Sequence, residues 1–143
     1  MSKFYAVTVA TGDGGYYDCL KHSCEKNNIK LVTLGWNQKW QGFAWRWKIY
    51  ADYLKTLNDN DIVLWIDAYD ILILENANTI LKKFKNFNTQ IVFGTNYVPI
   101  VDHILQMCDK PAMNGGNHVG YVKYVKTLAD LMSDSKLAIK WNN

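Results

Sequence analysis

Two carboxylates stand close together directly after an apolar run in the middle of the chain. The run Ile62–Ile66 (IVLWI) leads into Asp67-Ala68-Tyr69-Asp70. A short apolar run rich in β-branched and aromatic residues is typical of a strand buried on both faces of a parallel sheet. Open α/β sheets bind ligands beyond the C-terminal ends of such strands. Neighbouring carboxylates repel each other unless a cation lies between them, so Asp67 and Asp70 are predicted to bind a divalent metal ion.

The same acids have other interpretations, which the sequence leaves open. Asp70 could cap the following turn and Asp67 could accept hydrogen bonds from loop amides, because acids at strand ends often stabilise loops. An unrelated phosphotransfer or receiver-type α/β domain would also place acids there to bind Mg²⁺. That alternative is disfavoured, since only one acid, Asp13, follows the first predicted strand.

Strands and helices that alternate along the chain must position these acids. The predicted strands are Phe4–Val9, Ile29–Leu34, Ile62–Ile66, Gln90–Gly94 and a short strand reached through the glycine-rich segment Met113–Tyr121. The predicted helices are Tyr16–Asn28, Trp45–Leu57, Thr79–Lys85 with Asn78 as its N-cap, and Val122–Met132. This alternation predicts a three-layer, Rossmann-like α/β sandwich with a mostly parallel sheet. Residues 95–111 are expected to be irregular, with one helical turn near residues 104–107.

Composition narrows the class of protein. The chain has 143 residues, 49% of them hydrophobic, which predicts a single domain over residues 1–143. A net charge of +3 suits an anionic small molecule, and the absence of a dense Lys/Arg run argues against nucleic-acid binding. The three cysteines form no CxxC, and no apolar run has the length of a signal peptide core or a membrane span. A cytoplasmic location is therefore expected, and the short sheet could be completed by a second copy in a homo-oligomer.

Several further segments occur in an order known from one protein family. They are Val7-Thr8-Val9-Ala10-Thr11, Leu34-Gly35 followed by Trp40, Leu81-Lys82-Lys83-Phe84 after the paired acids, Gln90-Ile91-Val92-Phe93, Met113-Asn114-Gly115-Gly116, and Val119-Gly120-Tyr121. Together with Asp67-Ala68-Tyr69-Asp70 they resemble the glycosyltransferase domain of procollagen lysyl hydroxylases over residues 4–125. This shared order is the evidence for the resemblance, because each motif alone is short.

The resemblance implies a GT-A fold that binds a nucleotide-sugar. The implied reaction transfers a hexose from UDP-galactose or UDP-glucose to an acceptor hydroxyl, such as that of a collagen-like hydroxylysine, with Mn²⁺ or Mg²⁺ as cofactor. The implied metal ligands are Asp67 and Asp70. The implied donor-binding residues are Thr11, Trp40, Tyr69, Asn114, Gly115 and Gly116. Lys48 could in addition meet a donor phosphate as a point charge, and Asp134 is the expected catalytic acid, base or nucleophile-positioning residue.

Most of these residues also have a structural interpretation. Thr11 could simply end a strand, and Tyr69 could be a half-buried aromatic between core and solvent. Trp36 and Trp40 could pack on the neighbouring helix instead of covering the donor as part of a mobile loop. Lys48 could lie on a solvated helix face. The segment Asn114-Gly115-Gly116 could be only a tight turn into a strand.

The chain departs from the family pattern near its end. Ser133-Asp134-Ser135-Lys136-Leu137 is the nearest counterpart to an acidic Asp-Gln segment and lacks the second acid. Asn117 and His118 stand where the family has Gly and Phe. His118 could replace a missing metal-binding His, or could be a hydrogen-bonded core residue. The sequence is therefore expected to be a shortened relative, and a non-catalytic nucleotide-sugar-binding or partner module is the alternative function.

Overall fold

The protein folds as strands and helices that alternate along the chain. A computed structural model describes residues 2–95 and 113–134. The elements, in chain order, are β1 Phe4–Val9, α1 Tyr17–Lys26, β2 Leu31–Leu34, α2 Phe43–Leu54, β3 Ile62–Ile66, α3 Ala77–Asn86, β4 Ile91–Thr95, β5 Met113–Tyr121 and α4 Val122–Ser133. The predicted α/β class is confirmed, and the irregular segment expected over residues 95–111 lies almost wholly outside the described residues.

Among the described residues, the sheet has five strands in the order β2-β1-β3-β5-β4. β1 is parallel to both of its neighbours, and its residue Val7 aligns with Val32 of β2 and Trp65 of β3. β5 is antiparallel to β3 and to β4, and its residue His118 aligns with Trp65 and Phe93. Four strands therefore run in one direction, as expected for a mostly parallel sheet. The reversed β5 between β3 and β4 was not predicted from the sequence.

Helices cover both faces of the sheet and bury alternate residues of each central strand. On one face, Val7 of β1 and Trp65 of β3 pack against α2 and α4 in one apolar cluster. On the other face, Ala6 and Ile66 pack against α1, with Ile80 of α3 alongside. The period of two in β1 and β3 thus supplies both clusters. This arrangement gives the predicted three layers.

The reversal of β5 determines what lies beside the end of β3. Ile66, the last residue of β3, aligns with Asn117 of β5. Because β5 runs in the opposite direction, the residues that precede Asn117 extend past the C-terminal end of β3. The acids after β3 and the glycine-rich segment therefore meet at one edge of the sheet, although they are far apart in sequence.

Several element boundaries differ from the sequence-based prediction, and for two of them the local reason is clear. α2 begins at Phe43 rather than Trp45, after Gly42, whose φ of 95° lies in the left-handed region that glycine tolerates. α3 is capped by Asn76, not by Asn78: the Asn76 side chain accepts a hydrogen bond from the Thr79 backbone N–H at 3.1 Å. Asn76 has the extended backbone that an N-cap needs, whereas Asn78 is already inside the helix.

No helix within residues 2–95 and 113–134 combines the length and the apolar character needed to cross a membrane.

The cap at Asn76 gives a stability test with a matched control. Asn76→Ala should lower the free energy of unfolding by about 1 kcal/mol, because the Thr79 N–H loses its acceptor. Asn78→Ala should leave it unchanged or raise it slightly, because alanine is the better helix former. Urea denaturation of both variants measures the difference. A larger loss for Asn78→Ala would show that the cap is misassigned.

Candidate functional site

A cleft of about 420 Å³ opens at the C-terminal ends of β1 and β3. Its lining residues are Val9, Thr11, Trp40, Phe43, Arg46, Asp67, Ala68, Tyr69 and Asp70. Five of the residues singled out from the sequence are in this set: Thr11, Trp40, Tyr69, Asp67 and Asp70. The cleft lies at the strand ends where open α/β sheets bind ligands, as the sequence predicted.

The paired acids have different environments within the cleft. Asp67 follows β3 directly and is half-buried, whereas Asp70 is exposed. Burial raises the pKa of the Asp67 carboxyl above its usual value, the neighbouring Asp70 raises it further, and the Arg46 guanidinium opposes both. Of the two acids, Asp67 is therefore the one whose ionised form is disfavoured by burial, and the Arg46 cation partly offsets this effect.

Arg46 is the charged residue of the cleft that was not predicted from the sequence. It lies on α2, and its Nη2 donates a hydrogen bond in an ion pair to Asp67 Oδ1. Its guanidinium also lies over the Trp65 ring, 4.8 Å from the ring centroid. A signal was available in the sequence. Arg46 directly precedes Trp47 and lies four residues before Tyr50, so it lies beside the apolar stripe of the helix. A cation near a buried helix face needs a partner.

Tyr69 ties the glycine-rich turn after β1 to the end of β3. Its hydroxyl accepts a hydrogen bond from the Thr11 N–H at 3.3 Å and donates one to the Gly12 carbonyl at 3.1 Å. Its own carbonyl accepts from the Tyr16 N–H at 3.0 Å. A Cβ on Gly15 would lie 2.9 Å from the Tyr69 Cβ, so glycine is needed for this close approach. Both walls of the cleft are therefore held together by one side chain.

The tryptophans of the loop before α2 have separate positions. Trp40 lines the cleft and also makes edge contacts with Phe43 and Trp45, with ring centroids 5.7 and 5.6 Å apart. Trp36 instead contacts the Tyr17 ring at 5.1 Å and does not line the cleft. Trp40 therefore packs on the rings of α2 and still leaves 45% of its surface exposed, so its position is compatible with both interpretations, packing on the helix and covering a ligand.

The glycine-rich segment of β5 borders the cleft through its backbone. A Cβ on Gly116 would lie 2.1 Å from Asp67 Oδ2, so only glycine fits beside this carboxylate. The Gly116 N–H donates to the Asn114 side-chain oxygen at 2.6 Å, which fixes the strand there. Gly115 is exposed, and a Cβ there would have no neighbour within 4 Å. The segment is a strand rather than the tight turn considered from sequence.

Three other candidate residues lie away from the cleft lining. Lys48 is exposed on α2, and Asp134 is exposed at the C-terminal end of α4. His118 is buried among aromatic rings, stacked on Trp47 and Trp65 at 5.9 and 6.1 Å, and its Nε2 lies 3.4 Å from the Tyr50 hydroxyl. The core interpretation of His118 therefore matches its position. The phosphate-binding role of Lys48 and the catalytic role of Asp134 stay predictions.

The donor atoms of the cleft suit a divalent cation only in part. Within residues 2–95 and 113–134, no three His, Cys, Asp or Glu side chains converge on one point. Asp67 and Asp70 nevertheless line one cleft, and the absence of a side chain at Gly116 makes room for Asp67 Oδ2. Carboxylate oxygens are the ligands that Mg²⁺ and Mn²⁺ prefer, and Mg²⁺ commonly takes one or two of them together with phosphate oxygens and water. The residues fit a cation that is held jointly with a phosphorylated ligand.

Residues 1–138 match the family model described as the PLOD GT domain. Curated relatives include procollagen-lysine,2-oxoglutarate 5-dioxygenase 1 of Gallus gallus, 25% identical over 87% of this chain, and of Homo sapiens, 24% identical over 90%. The chain spans 19% of the length of each. The multifunctional procollagen lysine hydroxylase and glycosyltransferase LH3 of Rattus norvegicus is 26% identical over 64% of this chain, which spans 14% of its length.

A solved structure shares the fold. The crystal structure of A197 from STIV superposes with a TM-score of 0.54 over 83% of this chain and 64% of that chain, at 15% identity. At this identity the similarity concerns the fold alone. It agrees with the α/β architecture described above.

The contact between Gly116 and Asp67 predicts unequal effects of two neighbouring substitutions. Gly116→Ala should lower the free energy of unfolding by about 1–3 kcal/mol, because the added methyl overlaps the Asp67 carboxylate. Gly115→Ala should change it by less than about 0.5 kcal/mol, since its Cβ points into open space. Chemical denaturation measures both. Equal effects would contradict the described register of β5 against the end of β3.

His118 predicts a pH dependence of stability. Burial, and to a smaller extent the nearby Arg46 cation, together lower the pKa of His118 from 6.5 to about 3. Between these two values the unfolded chain binds a proton that the folded protein does not. The free energy of unfolding should therefore fall as the pH decreases below about 6.5, by at most about 1.4 kcal/mol per pH unit from this group.

Denaturation at a series of pH values tests this slope. His118→Phe keeps an aromatic ring and should flatten the slope between pH 6.5 and about 5, where most carboxylates are still ionised. An unchanged slope in His118→Phe would show that this side chain does not stay neutral in the folded protein.

Proposed function

The chain belongs to the PLOD GT domain family, and from this premise we propose that it is a metal-dependent glycosyltransferase. It transfers galactose or glucose from a UDP-sugar to an acceptor hydroxyl. The observation that carries the proposal is the cleft at the ends of β1 and β3, which Asp67 and Asp70 line together with Thr11 and Trp40. A carboxylate pair beside an aromatic-lined cleft suits a nucleotide whose phosphates need a cation and whose base needs a flat surface.

The donor is bound along the length of this cleft. Tyr69 and Trp40 offer exposed aromatic surface for the uracil or ribose. Thr11 is held at the nucleoside end because its N–H is bonded to the Tyr69 hydroxyl. Asp67 and Asp70 would hold Mn²⁺ or Mg²⁺, which would supply a Lewis acid for the negative charge of the UDP leaving group. The narrow approach of Gly116 to Asp67 brings the β5 backbone next to the sugar.

The acceptor class follows from the family and from the name of one relative. The rat relative that carries the word glycosyltransferase in its name is a procollagen lysine hydroxylase as well. A hydroxyl on a lysine side chain of a collagen-like peptide is therefore the acceptor that we propose to test first. Lys48 and Asp134 do not line the cleft, so no step is assigned to either residue.

The test measures donor binding and transfer separately. Calorimetric titration of UDP with and without MnCl₂ should show binding that depends on the metal, and incubation with UDP-galactose or UDP-glucose and a hydroxylysine peptide should release UDP. Asp70→Asn should weaken metal-dependent UDP binding by at least about tenfold, because one of two charged ligands is lost. Asp70 is exposed, so this variant should fold normally.

Asp52→Asn is the matched control, because Asp52 is an exposed acid near the other end of α2. It should leave binding and transfer unchanged. Metal-dependent UDP binding without any release of UDP, with or without acceptor, would refute the enzymatic proposal. Equal UDP affinity in wild type and Asp70→Asn would remove Asp70 from the metal site.

A further inference from the structure

The ion pair between Arg46 and Asp67 occupies a carboxylate that the proposed function needs for a cation. Arg46 Nη2 donates to Asp67 Oδ1, and both side chains are largely buried, with 14% and 30% of their surfaces exposed. We propose that Arg46 is an exchangeable cation of the cleft: it neutralises Asp67 in the free protein and moves to the diphosphate of the donor when Asp67 binds the metal. This inference rests on the proposed function, because it names a donor contact of that same site.

Asp67 has little freedom to release Arg46 by moving itself. It follows β3 directly, and β3 is paired with β1 on one side and with β5 on the other. Its second oxygen, Oδ2, lies so close to Gly116 that a Cβ there would be 2.1 Å away. The carboxylate is therefore confined on the β5 side. The guanidinium, at the end of a long side chain, is the partner that can change position.

Arg46 has a second anchor that does not involve Asp67. The guanidinium carbon lies 4.8 Å from the centroid of the Trp65 ring, a cation–π distance. Trp65 is buried and stacks on Trp47 at 5.5 Å, so this surface is rigid. Arg46 Nε is buried and has no hydrogen-bond partner within the part of the chain that the structure describes. A guanidinium that leaves Asp67 thus stays beside the cleft, with donors free for another acceptor.

Charge gives the reason for the exchange. In the free protein one guanidinium offsets one of the two carboxylates of the cleft. A divalent cation on Asp67 and Asp70 would then stand beside the Arg46 cation, and the two like charges would repel at short range. A diphosphate supplies the negative charge that both cations need. Arginine is suited to this role because its planar group can bind two phosphate oxygens at once.

The exchange predicts opposite effects of one substitution on two ligands. Arg46→Met removes the charge and keeps an unbranched side chain against Trp65. It should tighten the binding of Mn²⁺ alone by about fivefold or more, because the metal no longer competes with a bound cation for Asp67. It should weaken UDP binding at saturating Mn²⁺ by about tenfold or more, because a charged hydrogen-bond donor to the phosphates is lost.

Isothermal titration with MnCl₂, and then with UDP at saturating MnCl₂, measures both constants. Arg46→Lys keeps a cation without the planar group and should give a UDP affinity between those of wild type and Arg46→Met. Lys55→Met is the matched control: Lys55 forms an exposed ion pair with Asp52 at 3.1 Å, at the other end of α2, and its loss should change neither constant. Circular dichroism of each variant checks that α2 is intact.

The outcomes separate this inference from the proposed function. Opposite shifts of the Mn²⁺ and UDP constants in Arg46→Met support the exchange even if no sugar is transferred, in which case only the enzymatic proposal fails. Weaker Mn²⁺ binding in Arg46→Met, or an unchanged UDP constant, overturns the exchange while transfer by the wild-type protein still supports the enzyme. If the wild-type protein binds neither Mn²⁺ nor UDP, the exchange and the enzymatic proposal are both overturned.

Discussion

The pairing of β3 on both of its edges is the constraint on which the rest of the site depends. β3 is hydrogen-bonded to β1 and to β5, and its residues are packed between helices on both faces. A strand held in this way has no freedom to slip, because a shift of one residue would turn Trp65 and Ile66 to the wrong faces. Asp67, the next residue, is therefore delivered to one fixed place. The cleft, its aromatic wall and its glycine border are all built around that place.

The negative charge of Asp67 at the end of β3 is balanced by the Arg46 cation, which lies over the Trp65 ring. Asp67 is an acid whose ionised form is disfavoured by burial, and the Arg46 cation compensates. Burial lowers the pKa of His118, which stacks on Trp65, and the Arg46 cation acts in the same direction. Within residues 2–95 and 113–134, a largely buried cation thus lies at the cleft, with a neutral ring behind it.

Local patterns were sufficient for most of the elements. The bounds of β1 and β3 follow from apolar runs, and α4 was placed to within a residue because its apolar spacing begins at Val122. The N-cap of α3 was misplaced because Asn76 and Asn78 are chemically identical candidates. Only the backbone conformation of Asn76, with φ −73° and ψ 165°, distinguishes them. Sequence likewise gave no sign that β5 is reversed, because the direction of a strand is set by how the elements pack and not by a local pattern.

The sequence by itself determined the order of strands and helices, the family, and the two acids after β3, because these depend on local periodicity and on short motifs. Only the tertiary structure decided which distant residues meet those acids. Arg46 approaches Asp67 because α2 packs on the sheet with its N-terminal turn above the end of β3, and Gly116 approaches it because β5 is antiparallel. Such contacts depend on how the elements pack. The whole core sets which face a helix turns to the sheet and in which direction a strand runs, and the residues that come into contact at the site do not.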